Sequence, residues 1–272
     1  MQQSETFDRV AELYDAARPS YPAALFQALA HAAGLVPGDP VLEVGCGTGK
    51  ATAGLLTLGL AVTALDPGEN LIQQAKRRFG EAEGLLFVTE PFERWAAPAE
   101  AYRLVASAQA WHWIPPEASF PKAADALKPG GVLAVFGNCP CDLPPEVADA
   151  LAAPFVRHGL PRPTTLPEAG YRPTGPVADL FAASGRFEPA RHAVFPWVWR
   201  RTVDQHMDFV RSRSDIQMIP AETREALLAD LRPALRAAMG DDLALPYETH
   251  LYWGLKSRSD QTVRQGSVHG TT

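Results

Sequence analysis

Glu43, Gly45, Gly47 and Gly49 stand at every second position of Val41-Leu42-Glu43-Val44-Gly45-Cys46-Gly47-Thr48-Gly49, an apolar run that opens into a glycine-rich turn. Glycines there let the backbone approach a ligand closely, at the carboxyl edge of a sheet where open α/β folds bind their ligands. Asp66 closes the next apolar run, 21 residues after Gly45, and is placed to accept hydrogen bonds from two ribose hydroxyls. A nucleoside-bearing cofactor is therefore expected. Spacing narrows its identity. A dinucleotide fingerprint begun at Gly45 needs a glycine where Lys50 stands. A phosphate-binding loop aligned on Gly49-Lys50 meets Val44 at its first glycine and Ala51 at its hydroxyl residue. An acid two residues ahead of Gly45 would repel a pyrophosphate, yet it suits a cationic tail such as an α-amino group.

A second group of reactive side chains is Ala108-Gln109-Ala110-Trp111-His112-Trp113, which follows a fourth apolar run. His112 is a candidate general base between two aromatics that exclude water, or else a histidine satisfied at a helix start. Trp111 and Trp113 read as pocket wall or core, with cation–π attraction to a cationic ligand as the alternative. Arg200, Arg201, Arg211 and Arg213 form a basic cluster, read first as a solvated helix face and otherwise as a clamp for a substrate carboxylate. Cys46 needs only to be small. Cys139 and Cys141 are too close for a relaxed disulfide and lack the partners of a zinc site. With no histidine pair at ligand spacing, no metal is expected.

The elements that must position these groups are visible as short apolar runs alternating with helical patterns. The runs are Val41-Val44, Ala61-Leu65, Leu85-Val88, Leu104-Ser107 and Val132-Phe136. Helical spacing lies between them at Thr52-Leu58, Asn70-Phe79 and Glu117-Leu127. Continuous apolar strands separated by helices imply a doubly wound, mostly parallel α/β sheet of Rossmann-like type, with about seven strands once later ones are added. Two helices precede it, one through Phe7, Val10, Leu13 and Tyr14, the next opening at Tyr21-Pro22 and stopping at Gly34. Residues 138–176 are rich in Pro and Gly and predict an irregular excursion with one helix near Glu146-Val156. Phe187-Trp199 predicts a strand whose Pro189 and Pro196 demand edges or bulges. Thr202 opens a helix through a capping box with Gln205, and a later helix is expected to kink or divide at Pro233. Tyr247-Leu255 predicts the last strand, and 258–272 an unstructured tail.

Composition sets the outer limits. Of 272 residues 46% are hydrophobic, so a sizeable core is available. The 25 Lys+Arg face 31 Asp+Glu, and a net charge of −6 argues against a surface built to coat nucleic acid or an anionic membrane. No run reaches the roughly 18 apolar residues of a membrane span, and the opening residues lack the apolar centre of a signal peptide. A cytoplasmic protein with no membrane partner is expected.

With these motifs the chain resembles the class I S-adenosylmethionine-dependent methyltransferases, well over residues 7–137 and loosely in its last third. The resemblance is carried by Glu43–Gly49, Asp66-Pro67 and Leu127-Lys128-Pro129-Gly130-Gly131. Tyr14-Asp15-Ala16-Ala17-Arg18-Pro19-Ser20-Tyr21-Pro22 and the Trp111-His112-Trp113 run look like the small-molecule branch that includes trans-aconitate methyltransferase-like proteins. The resemblance implies that Gly45, Cys46 and Gly47 run beside the methionine part of the cofactor, within a turn completed by Glu43 and Gly49. Asp66 would hold the ribose, Pro67 would lie against the adenine, and Phe92 would neighbour it. Ser107 and Ala108 would face the sulfonium, while Tyr14, Arg18 and Tyr21 would fold over the cofactor or simply pack their helices. Trp111 would border cofactor and acceptor alike, and Trp111, His112 and Trp113 would line the acceptor site.

The expected organisation is one domain over 1–257, with a helical cap at 1–36, a cofactor core at 37–137 and a substrate-side cap with the final strands at 138–257. The expected reaction moves a methyl group from S-adenosylmethionine to a small-molecule acceptor, leaving S-adenosylhomocysteine, with O-methylation of a hydroxyl or carboxylate first. The Asn/Asp-Pro-Pro-Tyr run of many amine methyltransferases is replaced by Ala-Gln-Ala-Trp-His-Trp. N- or C-methylation, a non-catalytic cofactor-binding protein and a nicotinamide-dependent oxidoreductase are the competing readings. No nucleic-acid partner is expected, and the chain reads as a monomer or homodimer.

Overall fold

A computed structural model describes residues 18–163 and 170–257. The expected first helix, Tyr14 and the 258–272 tail lie outside the described residues. Helix α1 (Ala23–Ala33) buries Leu25, Phe26, Leu29 and Ala33 and ends at Gly34, whose φ of 57° is left-handed. Strands β1 (Pro40–Val44), β2 (Ala61–Leu65) and β3 (Leu85–Val88) alternate with α2 (Lys50–Leu56) and α3 (Glu69–Phe79). Then come β4 (Tyr102–Ala108), a single 3-10 turn at Trp111–Trp113, α4 (Pro116–Ala126) and β5 (Leu127–Pro140). The rest comprises α5 (Pro145–Arg157), α6 (Val177–Ser184), β6 (Arg191–Thr202), α7 (Val203–Ser212), the short α8 (Ser214–Gln217), α9 (Ala221–Met239) and β7 (Asp242–Leu255).

The sheet has seven strands in the order β3-β2-β1-β4-β5-β7-β6. Strands β1 to β5 pair in parallel, and β7 runs antiparallel to both β5 and β6. Strand residues alternate between two cores. On one face Val105, Leu133 and Val135 meet Phe120, Tyr171, Phe181 and Phe187; on the other Leu104, Ala134 and Phe136 meet Leu25, Phe26 and Leu29. Burial on both faces is why the strands read as unbroken apolar runs. A third cluster joins Met207, Phe209, Leu228 and Leu231 to Leu243, Leu245 and Tyr247.

Chain progress reverses between β1 and β4, so a crevice opens at their carboxyl ends, where the Gly45 turn and the Gln109–Trp113 segment both begin. Three expectations are corrected. Strand β5 extends past Val132-Phe136 in both directions: β7 pairs with it through Pro140, and Leu127 pairs with Tyr102 of β4. Helix α9 keeps Pro233 inside one span of 19 residues, so of the two outcomes expected there, kink or division, division is the one corrected. The 138–176 stretch is followed at once by an unforeseen helix, α6, which packs on α4. Pro196 does lie in an edge strand, β6, and the Thr202–Gln205 capping box is formed in both directions. Among the described residues no helix is long and apolar enough to cross a membrane.

Candidate functional site

The turn after β1 is pinned to the end of β2. Gly45 and Cys46 donate their backbone N–H groups to the Leu65 carbonyl at 2.8 and 3.0 Å. Asp66, next in the chain, accepts from Gly47 N–H at 2.9 Å and from Gly68 N–H at 2.8 Å. Its carboxylate is thus fixed between two loops, and an ionised carboxylate has acceptor capacity beyond two bonds. Each glycine of the turn has its own reason. A Cβ on Gly45 would lie 2.2 Å from Ala110 Cβ, and one on Gly49 2.3 Å from Phe79 Cε2, so packing excludes side chains there. Gly47 has a φ of +54° and nothing within 4 Å of a Cβ position, so its edge of the turn faces open space.

Glu43 lies beneath this turn, 1% exposed. Thr52 donates its hydroxyl to Glu43 Oε2 at 2.6 Å, while Oε1 is buried and has no hydrogen-bond partner. Burial pushes the Glu43 pKa up to about 8; the Thr52 bond opposes this and the Asp66 charge adds to it. Cys46 is buried, and burial first, then the Asp66 and Glu43 charges, raise its pKa, which leaves an unreactive thiol.

The remaining expected residues divide into separate groups. Phe92 and Trp111 are both buried in one core, ring centroids 6.1 Å apart, with Phe120 edge-on to Trp111 at 5.5 Å. Trp111 is therefore a core residue. Ser107 is fully buried and donates its hydroxyl to the Val44 carbonyl at 2.9 Å, tying β4 to β1. Ala108 packs at the rim of the opposite core, and Pro67 is exposed at the mouth. Tyr21 donates to Gln109 Oε1 at 3.3 Å and meets the Phe136 edge, which places it at the β4 end. The Arg18 guanidinium lies 5.2 Å over the Phe209 ring.

His112 presents an open surface, as does Trp113 at 44% exposure. The two rings lie 4.7 Å apart, and His112 Nδ1 is 3.1 Å from the Tyr171 hydroxyl. Crowding by these neighbours desolvates the imidazole and lowers its pKa to about 4, so it is neutral at pH 7.

Sequence reasoning missed three residues here. Gln109 has a φ of 52° and, with Arg18, Asn138, Phe209 and Tyr247, lines a small cavity beside the crevice. Asn138 is buried on β5. Polar residues at strand ends were the available signal for these two; Tyr171, in an aperiodic stretch, offered none. The arginine cluster is mostly engaged elsewhere: Arg211 grips Glu225 through two 2.9 Å bonds, and Arg213 holds Asp215. Arg201 lies with its guanidinium 3.9 Å over Trp199. The described residues contain no group of three or more His, Cys, Asp or Glu arranged to hold a metal ion.

A family profile described as a methyltransferase domain matches residues 41–131, from β1 into β5. An uncharacterized methyltransferase of Mycobacterium tuberculosis is 30% identical over 250 residues, 90% of this chain and 93% of that protein. A sterol 24-C-methyltransferase of Gibberella zeae is 27% identical over 207 residues, 69% of this chain and 51% of that protein. Among solved structures, a proposed type II methyltransferase from Anaeromyxobacter dehalogenans is similar with a TM-score of 0.61 and 28% identity, over 88% of this chain and 97% of that one. With its acid–glycine turn, its Asp66 and a relative alike over nearly its whole length, the chain belongs to the class I S-adenosylmethionine-dependent methyltransferases.

Proposed function

We propose that the protein methylates an oxygen of a small-molecule acceptor, a hydroxyl or carboxylate, and that residues 37–137 hold the cofactor while 138–257 supply the acceptor side. The observation carrying the cofactor half is Glu43 Oε1, a buried acceptor with no hydrogen-bond partner, beneath a turn whose Gly47 edge faces open space. A buried unpaired carboxylate oxygen is costly, and a ligand ammonium would offset that cost by direct bonding or through a water. Asp66, already aimed by Gly47 and Gly68, would receive the ribose hydroxyls. When bound, S-adenosylmethionine supplies an electrophilic methyl group on a sulfonium.

This chain's own residues would do the rest. Glu43 and Asp66 fix the donor, and the turn's bonds to Leu65 keep it rigid. His112, neutral and flanked by Trp113 and Tyr171, would take the proton of a hydroxyl acceptor as the new oxygen–carbon bond forms and the sulfonium–methyl bond breaks. A carboxylate acceptor, already ionised, would need only its positioning. Positioning and exclusion of water would supply much of the remaining acceleration. The test is a panel of phenols, aliphatic alcohols, carboxylates and amines incubated with labelled S-adenosylmethionine. Oxygen-methylated products support the reading, and label only on nitrogen or carbon sinks it. C-methylation is the second reading, favoured by the similarity to a sterol 24-C-methyltransferase.

A further inference from the structure

Tyr171 reaches the mouth of the site from a residue 59 positions beyond His112. It is 2% exposed, and its ring lies so close over Gly137 that a Cβ there would sit 2.7 Å from ring atoms. Gly137 lies near the carboxyl end of β5 and pairs with His250 of β7, so Tyr171 is seated on a strand paired on both sides within the sheet. His112, in contrast, belongs to a single 3-10 turn with an open outer side. The two rings meet edge to face at 5.8 Å and 80°, and the hydroxyl lies 3.1 Å from Nδ1. The buried, tightly packed partner is therefore placed to set the orientation of the more exposed one.

That contact also bears on the proton of the neutral ring. Which imidazole nitrogen carries it is set by the hydrogen bond that the other makes. A base must offer the acceptor a nitrogen with a lone pair. With Nδ1 directed at Tyr171, that nitrogen has to be Nε2, and the ring proton has to sit on Nδ1. Resting on the base role given to His112 above, we propose that Tyr171 is a positioning residue that accepts a hydrogen bond from His112 Nδ1–H and so keeps the Nε2 lone pair toward the acceptor. The tyrosine O–H then donates away from His112. Oxygen, rather than a second base, suits this task because a phenol stays neutral and can accept while donating elsewhere.

The test needs no acceptor. Full-length protein carrying 15N-histidine is saturated with S-adenosylhomocysteine at pH 7, and two-bond 15N–1H correlations are recorded. His112 is assigned by the signals that vanish in His112→Gln. The expected result is a protonated Nδ1 and an unprotonated Nε2 on His112. Tyr171→Phe keeps the ring over Gly137 and removes only the hydroxyl; the proton should then move largely to Nε2, the form that imidazoles prefer in water. A purely packing role for Tyr171 would leave the tautomer unmoved in that variant, and this overturns the proposal. Nε2–H in the unaltered protein overturns it as well, so a decision is reached even if Tyr171→Phe fails to fold. Failure of the base reading would show separately, as undiminished transfer by His112→Ala to an acceptor found in the panel above, and failure of the cofactor reading as absent S-adenosylhomocysteine binding by calorimetry.

Discussion

At the residue scale the site is governed by where charge is tolerated. Glu43 is held protonated near neutral pH because burial outweighs the Thr52 bond, with Asp66 adding to the shift. A bound ammonium would favour the ionised form, so binding should expel a proton wherever Glu43 starts protonated. Affinity for S-adenosylhomocysteine should therefore rise with pH from about 6 to 8, by up to tenfold per unit, then level off. Calorimetry in buffers of different ionisation enthalpy should count the released proton, and Glu43→Gln should abolish both the release and the slope. An unchanged slope in that variant would assign the pH dependence to another group. Asp66→Ala should weaken binding by roughly ten- to hundredfold, on the order of 1.5–3 kcal/mol. It also unpins Gly47 and Gly68, so a fall in melting temperature should accompany it. Equal affinity in the folded variant would reduce Asp66 to a turn residue. His112→Ala should slow transfer by roughly 10²–10⁴-fold with cofactor affinity nearly unchanged. Because the folded His112 pKa is depressed to about 4, the acid limb of the rate profile should fall near that pH and not near the 6.5 of an ordinary histidine.

At the element scale the turn after β1 depends on contacts that glycine alone permits. Gly49→Ala would place a Cβ 2.3 Å from Phe79 at a φ of +87°, so both strain and overlap act. A loss of stability beyond about 1 kcal/mol is expected, read as a lower urea midpoint; an unchanged midpoint would mean that Phe79 swings aside. Thr202→Ala removes a formed capping box and should cost about 1 kcal/mol by the same measurement. Elements of this kind were legible because their signals are local. Val41–Val44, Ala61–Leu65 and Leu104–Ser107 are buried on both faces and show unbroken apolar runs, and the Thr202–Gln205 box is a four-residue pattern. What escaped depends on distant partners. β5 gains the extra length at its carboxyl end from pairing with β7, more than a hundred residues later. For Trp111, read as pocket wall or core, the choice of core is made by Phe92 and Phe120, which no spacing within Ala108–Trp113 announces. Tyr171 acquires its place from a glycine on β5 that reads as ordinary strand punctuation.

At the scale of the whole molecule, one polar chain, buried at its centre, ties the late strands to the segment before α1. Trp197 on β6 donates its indole N–H to Thr249 Oγ1 at 3.0 Å, and Thr249 donates to Asn138 Oδ1 at 2.6 Å. Asn138 donates through Nδ2 to the Ser20 carbonyl at 3.1 Å. Gln109 Nε2 reaches the Asn138 carbonyl at 3.4 Å, and Tyr21 completes the connection to Gln109. Strands β4, β5, β6 and β7 and the segment before α1 thus meet at one amide, beside the cavity that Gln109 and Asn138 line. Asn138 and Thr249 are both buried, so deleting one partner strands the other away from water. Asn138→Ala should destabilise the fold by about 2 kcal/mol, which in a domain of this size lowers the melting temperature by about 4–8 °C. The decisive measurement is a double-mutant cycle with Thr249→Val. A network predicts that the second substitution costs much less once the first is made, with a coupling of at least about 0.5 kcal/mol. Additive losses would mean that the two residues stabilise the fold independently, and that the segment at Ser20 is held to the sheet by apolar packing of α1 alone.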